Sequence, residues 1–312
     1  MVSKKIAKEK YGLIRIIYEK GIEVVLNDNG IWHYRSVRGG NFVPWKPQLI
    51  EKKYGLRPLL KAFWVPQGFQ EDLLSPTNPS CLDLYFEAET LLIGKKGLSV
   101  EQFHDLVYVL GALEYHCKRL AYSYCDIALR FANSKGRFEG EETGQTFAPM
   151  HTCEPLYEFD ALITVAIRCY EMIRIVLWSV FFKKEGCPRS FEKFLAVCKR
   201  SNLLPKLLID RLNESWGNYG AKAKEYRDCI QHYYTLTKTG WLLPIMNHLG
   251  DNLWAVSIIL PDNPKAYSHK KFSSEKQIDA LSYAWNITDE ITTVYRKIAD
   301  CISDESIQVK SP

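Results

Sequence analysis

Two long runs of apolar residues at helical spacing occupy the middle of the chain. In the first run, apolar residues recur at steps of three and four over about eight turns. Its members are Phe103, Leu106, Leu110, Leu113, Cys117, Leu120, Tyr124, Ala128 and Phe131. The second run contains Phe159, Leu162, Ala166, Tyr170, Ile173, Leu177 and Phe181. Because such a stripe covers one face of an α-helix, the sequence predicts a mainly α fold built on an antiparallel pair of long helices.

Two short polar patterns predict where helices begin. Ser99 and Gln102 have the spacing of a capping box, in which each side chain satisfies a backbone N–H of the other residue. Ser274 and Gln277 repeat that spacing ahead of the last apolar stripe. We therefore predict one helix start at each pattern.

The helical region is predicted to extend over residues 99–302, with one small strand element near 253–260 in "NLWAVSIIL". A C-terminal tail follows at 303–312. Residues 1–98 are predicted to be an accessory region of uncertain fold, irregular and mixed, because aromatic and β-branched runs alternate with turn signals there. Within it, "IEVVLNDNGIWHYR" is compatible with a hairpin or with a helix that ends at Gly30.

Composition narrows the class of protein. The chain has 312 residues and a net charge of only +5, which does not indicate a globally basic nucleic-acid coat. Its nine cysteines show no C-x-x-C pair, so we expect free thiols in a reducing compartment rather than disulfides or a metal ribbon. The start has no signal-peptide pattern, and a cytoplasmic protein is expected.

The most apolar window, Ala161 to Phe182, carries three charges at its centre that would be costly in a bilayer. It is therefore interpreted as a buried helix, with no membrane partner. The charged residues in and before this window are interpreted as the solvated side of that helix or, alternatively, as supporting groups around the candidate site: Glu158, Asp160, Arg168, Glu171 and Arg174.

The segment "KEYRDCIQHYY" carries the candidate catalytic residues. Asp228 and His232 lie four residues apart, on one helix face, so the carboxylate can accept a hydrogen bond from one imidazole nitrogen. Arg227 lies about 140° around the helix from His232. A second copy of the helix, related by a two-fold axis, would bring both pairs into one groove, which predicts a homodimer.

The helix order and this segment resemble the HEPN superfamily. The resemblance covers roughly residues 100–302 and is strongest over 155–238, where "YEFDALITVAIRCYEMIRIVLW" precedes shorter helices and "EYRDCIQHYY". The family motif is R-x4-6-H, often with a polar residue beside the arginine, and Arg227, Asp228 and His232 occupy those positions. The resemblance implies a HEPN-like antiparallel helical bundle and a dimeric, metal-independent ribonuclease of toxin–antitoxin or phage-defence systems.

RNA chemistry suits these side chains. RNA supplies its own nucleophile, the 2′-hydroxyl, so cleavage requires a base near neutral pKa and a fixed cation. His232 is predicted to act as general acid and base, and Arg227 to stabilise the charge on the phosphate. No cofactor and no metal are predicted, and cleavage should leave a 2′,3′-cyclic phosphate.

Two tyrosines follow the motif. "RDCIQHYY" also reads as R-x4-H-x-Y, with Tyr234 in the final place. This resembles the extended motif of HEPN toxins that a partner nucleotidyltransferase silences by attaching AMP to the tyrosine, and it implies a cognate antitoxin or regulatory protein. Tyr234 and Tyr233 are accordingly candidates for modification or for substrate contact.

Two further interpretations stay open. An arginine at this distance from a histidine should arise about once by chance in such a chain, so the motif is also compatible with an ordinary solvated helix face. The second function class is therefore a catalytically inactive, HEPN-like dimeric binding or scaffold protein. No companions are found in the sequence for the following histidines, which stay unassigned: His104, His116, His151, His248 and His269.

Overall fold

The computed structural model describes part of the chain in detail. The described residues are 14–18, 22–26, 32–34, 43–44, 58–62, 99–133, 145–147, 153–182, 186–201, 203–233, 244–250 and 253–303. They are mainly helical, which confirms the predicted fold class at that level. The chain divides into two compact units: the first contains Met1–Asn78, His116–Phe159 and Tyr233–Trp285, and the second contains Pro79–Tyr115, Asp160–His232 and Asn286–Pro312.

Six α-helices occur among the described residues. They are α1 (Val100–Asn133), α2 (Glu154–Leu177), α3 (Phe191–Ser201), α4 (Lys206–Ser215), α5 (Ala221–His232) and α6 (Ala280–Ser303). A π-helical turn, Trp178–Phe182, extends α2, and a second one, Trp216–Gly220, joins α4 to α5. Two glycines in "GNYG" are expected to weaken a helix, but the backbone continues there as a helix with one wide turn.

An antiparallel sheet is formed by the described residues nearest the N-terminus. Its strands are β1 (Ile14–Tyr18), β2 (Ile22–Leu26), β3 (Trp32–Tyr34), β4 (Val43–Pro44) and β5 (Pro58–Ala62), in the order β4-β3-β2-β1-β5. The hairpin interpretation of "IEVVLNDNGIWHYR" is correct, because β2 pairs with β3. The sequence left the fold of this region uncertain and did not predict the five-stranded sheet, since segments of two to five residues are too short to show a clear period.

A second antiparallel sheet has the order β6-β7-β8. Its strands are β6 (Gln145–Phe147), β7 (Ile245–Gly250) and β8 (Leu253–Ser257). The strand predicted near 253–260 is confirmed as β8, but β6 and β7 were not predicted. The strand β6 contributes only three residues, and its partner β7 is distant in sequence, so neither gave a local signal.

In the second unit, α1 and α2 pack antiparallel, as the apolar stripes predict. The Sγ of Cys169 lies 3.6 Å from the carbonyl oxygen of Val109, and Gln102 Nε2 donates to Ser179 Oγ at 3.2 Å. The helix start predicted at Ser99 is also confirmed, because Gln102 N donates to Ser99 Oγ at 3.2 Å and Ser99 N donates to Gln102 Oε1 at 3.4 Å.

An aromatic cluster fills the core beside the π-helical turn of the same unit. The rings of Tyr170 and Trp216 are 5.1 Å apart and nearly perpendicular, and Phe191 contacts both. The buried hydroxyl of Tyr170 is satisfied by Ser215 Oγ at 2.8 Å. Burial raises the pKa of Tyr170, so this hydroxyl stays protonated. The cluster fixes the helical run that ends in α5.

In the first unit, Asp279 begins α6. Its Oδ1 accepts the backbone N–H groups of Leu281 and Ser282 at 3.0 and 3.2 Å, which is N-cap geometry. The cap predicted at Ser274 and Gln277 is therefore wrong: these two residues form a separate turn in which Gln277 N donates to Ser274 O. Gln277 has a φ of 50°, which is incompatible with a helical first turn.

Two expectations from the sequence concern the state of the cysteines and the presence of a membrane-spanning helix. No disulfide is formed by the cysteines whose side chains the structure describes: Cys117, Cys153, Cys169, Cys187, Cys198, Cys229 and Cys301. No helix in the described part of the chain is long and apolar enough to cross a membrane.

Candidate functional site

The helix α5 carries the predicted catalytic residues on the side that faces away from its core contacts. Ala223, Tyr226 and Cys229, spaced three residues apart, are fully buried. This spacing turns Arg227 and Asp228 to a half-buried position, and His232, the last residue of the helix, is exposed. The apolar stripe therefore fixes which side of α5 presents the motif.

Asp228 is bound by two cations of its own helix. Arg227 donates to its Oδ1 from Nε at 3.1 Å and from Nη2 at 2.5 Å, and Lys224 Nζ lies 3.3 Å from its Oδ2. Partial burial acts to raise the pKa of Asp228, but the hydrogen bond and charge of Arg227, with a smaller effect of Lys224, outweigh it and hold the pKa below its ordinary value. The carboxylate is therefore ionised at neutral pH.

These contacts differ from the predicted role of Asp228. The sequence assigned this carboxylate to the imidazole of His232, and the structure instead brings it to Arg227 and Lys224. The physical reason is charge, because the cationic side chains of Arg227 and Lys224 make charge-assisted hydrogen bonds to the carboxylate. Asp228 thus positions the guanidinium of the motif.

Of the two tyrosines that follow the motif, the structure describes only Tyr233. Tyr233 immediately follows α5, and 54% of it is exposed. Its ring stacks on that of Tyr267, with a centroid distance of 3.9 Å. Tyr234, the candidate for nucleotide attachment, lies outside the described residues.

A second acid–base cluster joins α1 and α2 in the first unit. His116 Nδ1 lies 2.9 Å from Glu158 Oε2, and Arg119 Nε donates to Glu158 Oε1 at 3.4 Å. All three side chains are partly exposed. No companion of His116 could be predicted from the sequence, because Glu158 is 42 residues away and only the pairing of the helices reveals the contact.

The sequence predicted that the charged side chains of α2 face solvent, and this is correct for only some of them. Arg168 is exposed, but Arg174 binds Glu171 at 2.6 Å and donates to the backbone oxygen of Pro188. Asp160 is half-buried, and its Oδ1 is shielded from solvent without a hydrogen-bond partner among the described residues. Burial raises the pKa of Asp160 to about 7.

The described ranges contain no cluster of three or more histidine, cysteine or acidic residues arranged to hold a metal ion. Comparison with known proteins gives no match to this chain: no family model, no curated protein and no solved structure is similar to it. The HEPN resemblance therefore rests on the motif and on the order of the helices.

Proposed function

We propose that this protein is a metal-independent endoribonuclease of the HEPN type that acts as a toxin or antiviral, abortive-infection effector. The observation that carries the proposal is the contact of Arg227 with Asp228, which holds a half-buried guanidinium on the helix that ends at the exposed His232. A positioned cation and a solvent-accessible imidazole are the two groups that cleavage by the 2′-hydroxyl requires.

In this mechanism, His232 removes the proton from the 2′-hydroxyl, and the 2′-oxygen attacks the adjacent phosphorus. The bond from phosphorus to the 5′-oxygen breaks, and the leaving oxygen receives a proton from an imidazolium. Arg227 stabilises the extra negative charge on the phosphate oxygens. A guanidinium has five N–H groups, so the two bonds that hold it on Asp228 leave donors for the phosphate.

The experiment that tests this function is cleavage of a labelled RNA by purified protein in excess chelator. We expect products with 2′,3′-cyclic phosphate ends from the wild type and none from Arg227→Ala or His232→Ala. Gln231→Ala is the matched control, because Gln231 is an exposed neighbour on the same helix and takes no part in the mechanism. Activity that disappears in chelator and returns with magnesium or manganese contradicts the proposal.

The composite groove requires a symmetric dimer. Because Arg227 and His232 lie about 140° apart on one helix, the proposal places the α5 helices of two copies near a two-fold axis. Light scattering of an active sample should therefore give the mass of a dimer. An active monomer contradicts this arrangement.

A second candidate function is a catalytically inactive dimeric scaffold, and one surface favours it. Tyr108 and Tyr115, seven residues apart on one face of α1, are 67% and 56% exposed. Exposed aromatic side chains of this kind often anchor protein interfaces. Expression in cells separates the two candidates: growth arrest by the wild type that disappears in His232→Ala favours the ribonuclease, and equal growth or equal arrest favours the scaffold.

A further inference from the structure

The loop that precedes α6 in the first unit has a fixed shape. Its two ends are joined by a β-bridge between Ile259 and Asp279. Inside the loop, Asn263 Nδ2 donates to Lys271 O at 3.0 Å, and Asn263 Oδ1 accepts from Ser273 N at 2.8 Å. The amide nitrogen and the amide oxygen of Asn263 thus both bond to the backbone of the second half of the loop.

Tyr267 holds a strained position in this loop. Its φ of 49° and ψ of 25° lie in the left-handed region, which costs a non-glycine residue roughly 1–2 kcal/mol. The backbone is kept there by the short 3-10 helix Pro264–Ala266, through a hydrogen bond from Tyr267 N to Pro264 O at 3.1 Å. The conformation directs the ring onto Tyr233, at an interplanar angle of 24°.

Tyr233 is therefore an exposed aromatic ring held in place by a second ring. Parallel stacking on Tyr267 covers one face of it, and 54% of the residue is accessible to solvent. A side chain fixed in this way loses little conformational freedom when a planar ligand stacks on it. Such a ring suits a nucleobase.

Lysines surround Tyr267 along the loop. Lys265, Lys270 and Lys271 lie within four residues of it, and all three are exposed. The backbone of Lys271 is held at both of its polar groups, because its N–H donates to Ser268 O at 2.9 Å and its carbonyl oxygen accepts from Asn263 Nδ2 at 3.0 Å. An aromatic pair on a loop that carries several exposed cations matches the alternating bases and phosphates of a single nucleic-acid strand.

We propose that Tyr233, Tyr267, Lys265, Lys270 and Lys271 form a binding surface for single-stranded RNA. One base stacks on the exposed ring of Tyr233, which Tyr267 supports, and the lysines contact neighbouring phosphates. The inference rests on the proposed function only in taking the strand to be RNA. An acidic peptide would engage the lysines but would have no base to stack on the ring, so the aromatic pair favours nucleic acid.

Fluorescence anisotropy with a labelled single-stranded RNA of about 12 nucleotides tests the surface. All proteins carry His232→Ala, so that the RNA is not cut during the measurement. We expect Tyr233→Ala to weaken binding roughly tenfold to a hundredfold, because one stacked base is lost. Tyr233→Phe keeps the stacking ring and should bind as the parent does. Tyr157→Ala removes another exposed tyrosine, on α2, and is the matched control.

The contribution of the lysines is tested by a separate measurement, which stays informative even where the tyrosine variants fold poorly. Replacing Lys270 and Lys271 together by glutamine should reduce the slope of log affinity against log salt concentration by about 1.4, the value for two phosphate contacts to a single strand. Duplex RNA of the same sequence hides its base faces and should bind more weakly. A polyglutamate competitor should displace the RNA only when present in large excess.

This inference is overturned if Tyr233→Ala binds RNA as the parent does, or if duplex and single strand bind equally. It is also overturned if polyglutamate displaces the RNA at equal charge. These outcomes are separable from those for the proposed function. A wild-type protein that binds RNA through Tyr233 but never cuts it leaves the surface in place and rejects the ribonuclease. A wild type that cuts RNA while Tyr233→Ala binds and cuts equally well rejects the surface alone.

Discussion

Arg227 and Asp228 are consecutive residues of α5, and two N–H groups of the Arg227 guanidinium donate to one carboxylate oxygen of Asp228, at 3.1 and 2.5 Å. Lys224, one turn earlier, approaches the other oxygen. The carboxylate therefore holds the guanidinium in one orientation without covering all of its donors. In the proposed ribonuclease, this contact is what makes the position of the cation precise enough to act on a phosphate.

The first prediction concerns this contact. Asp228→Asn keeps the size of the side chain but removes its charge, so Arg227 should lose its fixed orientation. We expect kcat/KM for RNA cleavage to fall roughly tenfold to a hundredfold. Lys224→Gln is the control, because it removes a contact of Asp228 while leaving the two bonds to Arg227 intact, and its activity should stay close to that of the wild type. Full activity of Asp228→Asn would show that the ion pair has no part in positioning Arg227.

The second prediction concerns the π-helical turn that leads into α5. A Cβ atom added at Gly220 would lie 2.4 Å from Trp216 Cε3 and 3.0 Å from Tyr170 Cε2, inside the aromatic cluster. Gly220→Ala should therefore lower the free energy of unfolding by about 1–3 kcal/mol, measured by urea denaturation. Gly217 lies in the same turn with nothing within 4 Å of its added Cβ. Gly217→Ala should leave stability unchanged or slightly increased, and equal destabilisation by both variants would contradict the steric explanation.

Local patterns predicted the long helices correctly, because each one carries its own signal. Leu110, Leu113 and Leu120 recur on one face of α1, and the reciprocal bonds of Ser99 and Gln102 begin it. The same capping pattern failed at Ser274, where the spacing is identical but the backbone of Gln277 takes a left-handed conformation. The residue that caps the helix is Asp279. A β-bridge holds it beside Ile259, and no local sequence pattern reveals that contact.

The sequence predicted that the three candidate residues share one helix, but it did not predict all of their contacts. Sequence spacing located Arg227, Asp228 and His232 on one helix, since periodicity fixes that much. It did not indicate that Asp228 would bind Arg227, because adjacent residues on a helix point in different directions and only flexible side chains bring them together. The stacking of Tyr233 on Tyr267 depends on a loop conformation and was equally inaccessible.

The third prediction concerns the link between α1 and α2 in the first unit. Glu158 accepts from His116 and Arg119, and its side chain is only 19% exposed. Glu158→Gln removes the charge that both partners engage and should cost about 1 kcal/mol of stability. Asp105→Asn, at an exposed position on α1, is the control and should cost less. Equal effects of the two substitutions would show that the cluster contributes nothing specific to stability.

The fourth prediction concerns the pH dependence of stability. Burial raises the pKa of Asp160 from its ordinary value of 3.8 to about 7. The folded state therefore binds this proton more tightly than the unfolded state, so stability should decrease as the pH rises from about 4 to about 7 and level off above that. At pH 8 the loss is at most about 4 kcal/mol.

Asp160→Asn imitates the protonated acid and should remove this contribution, so the variant should be more stable than the wild type at pH 8 and similar to it at pH 4. Urea denaturation across this range measures the difference, in which the titration of all other groups cancels. Asp210→Asn, at an exposed position on α4, is the control and should follow the wild-type curve. Parallel curves for wild type and Asp160→Asn would contradict the raised pKa.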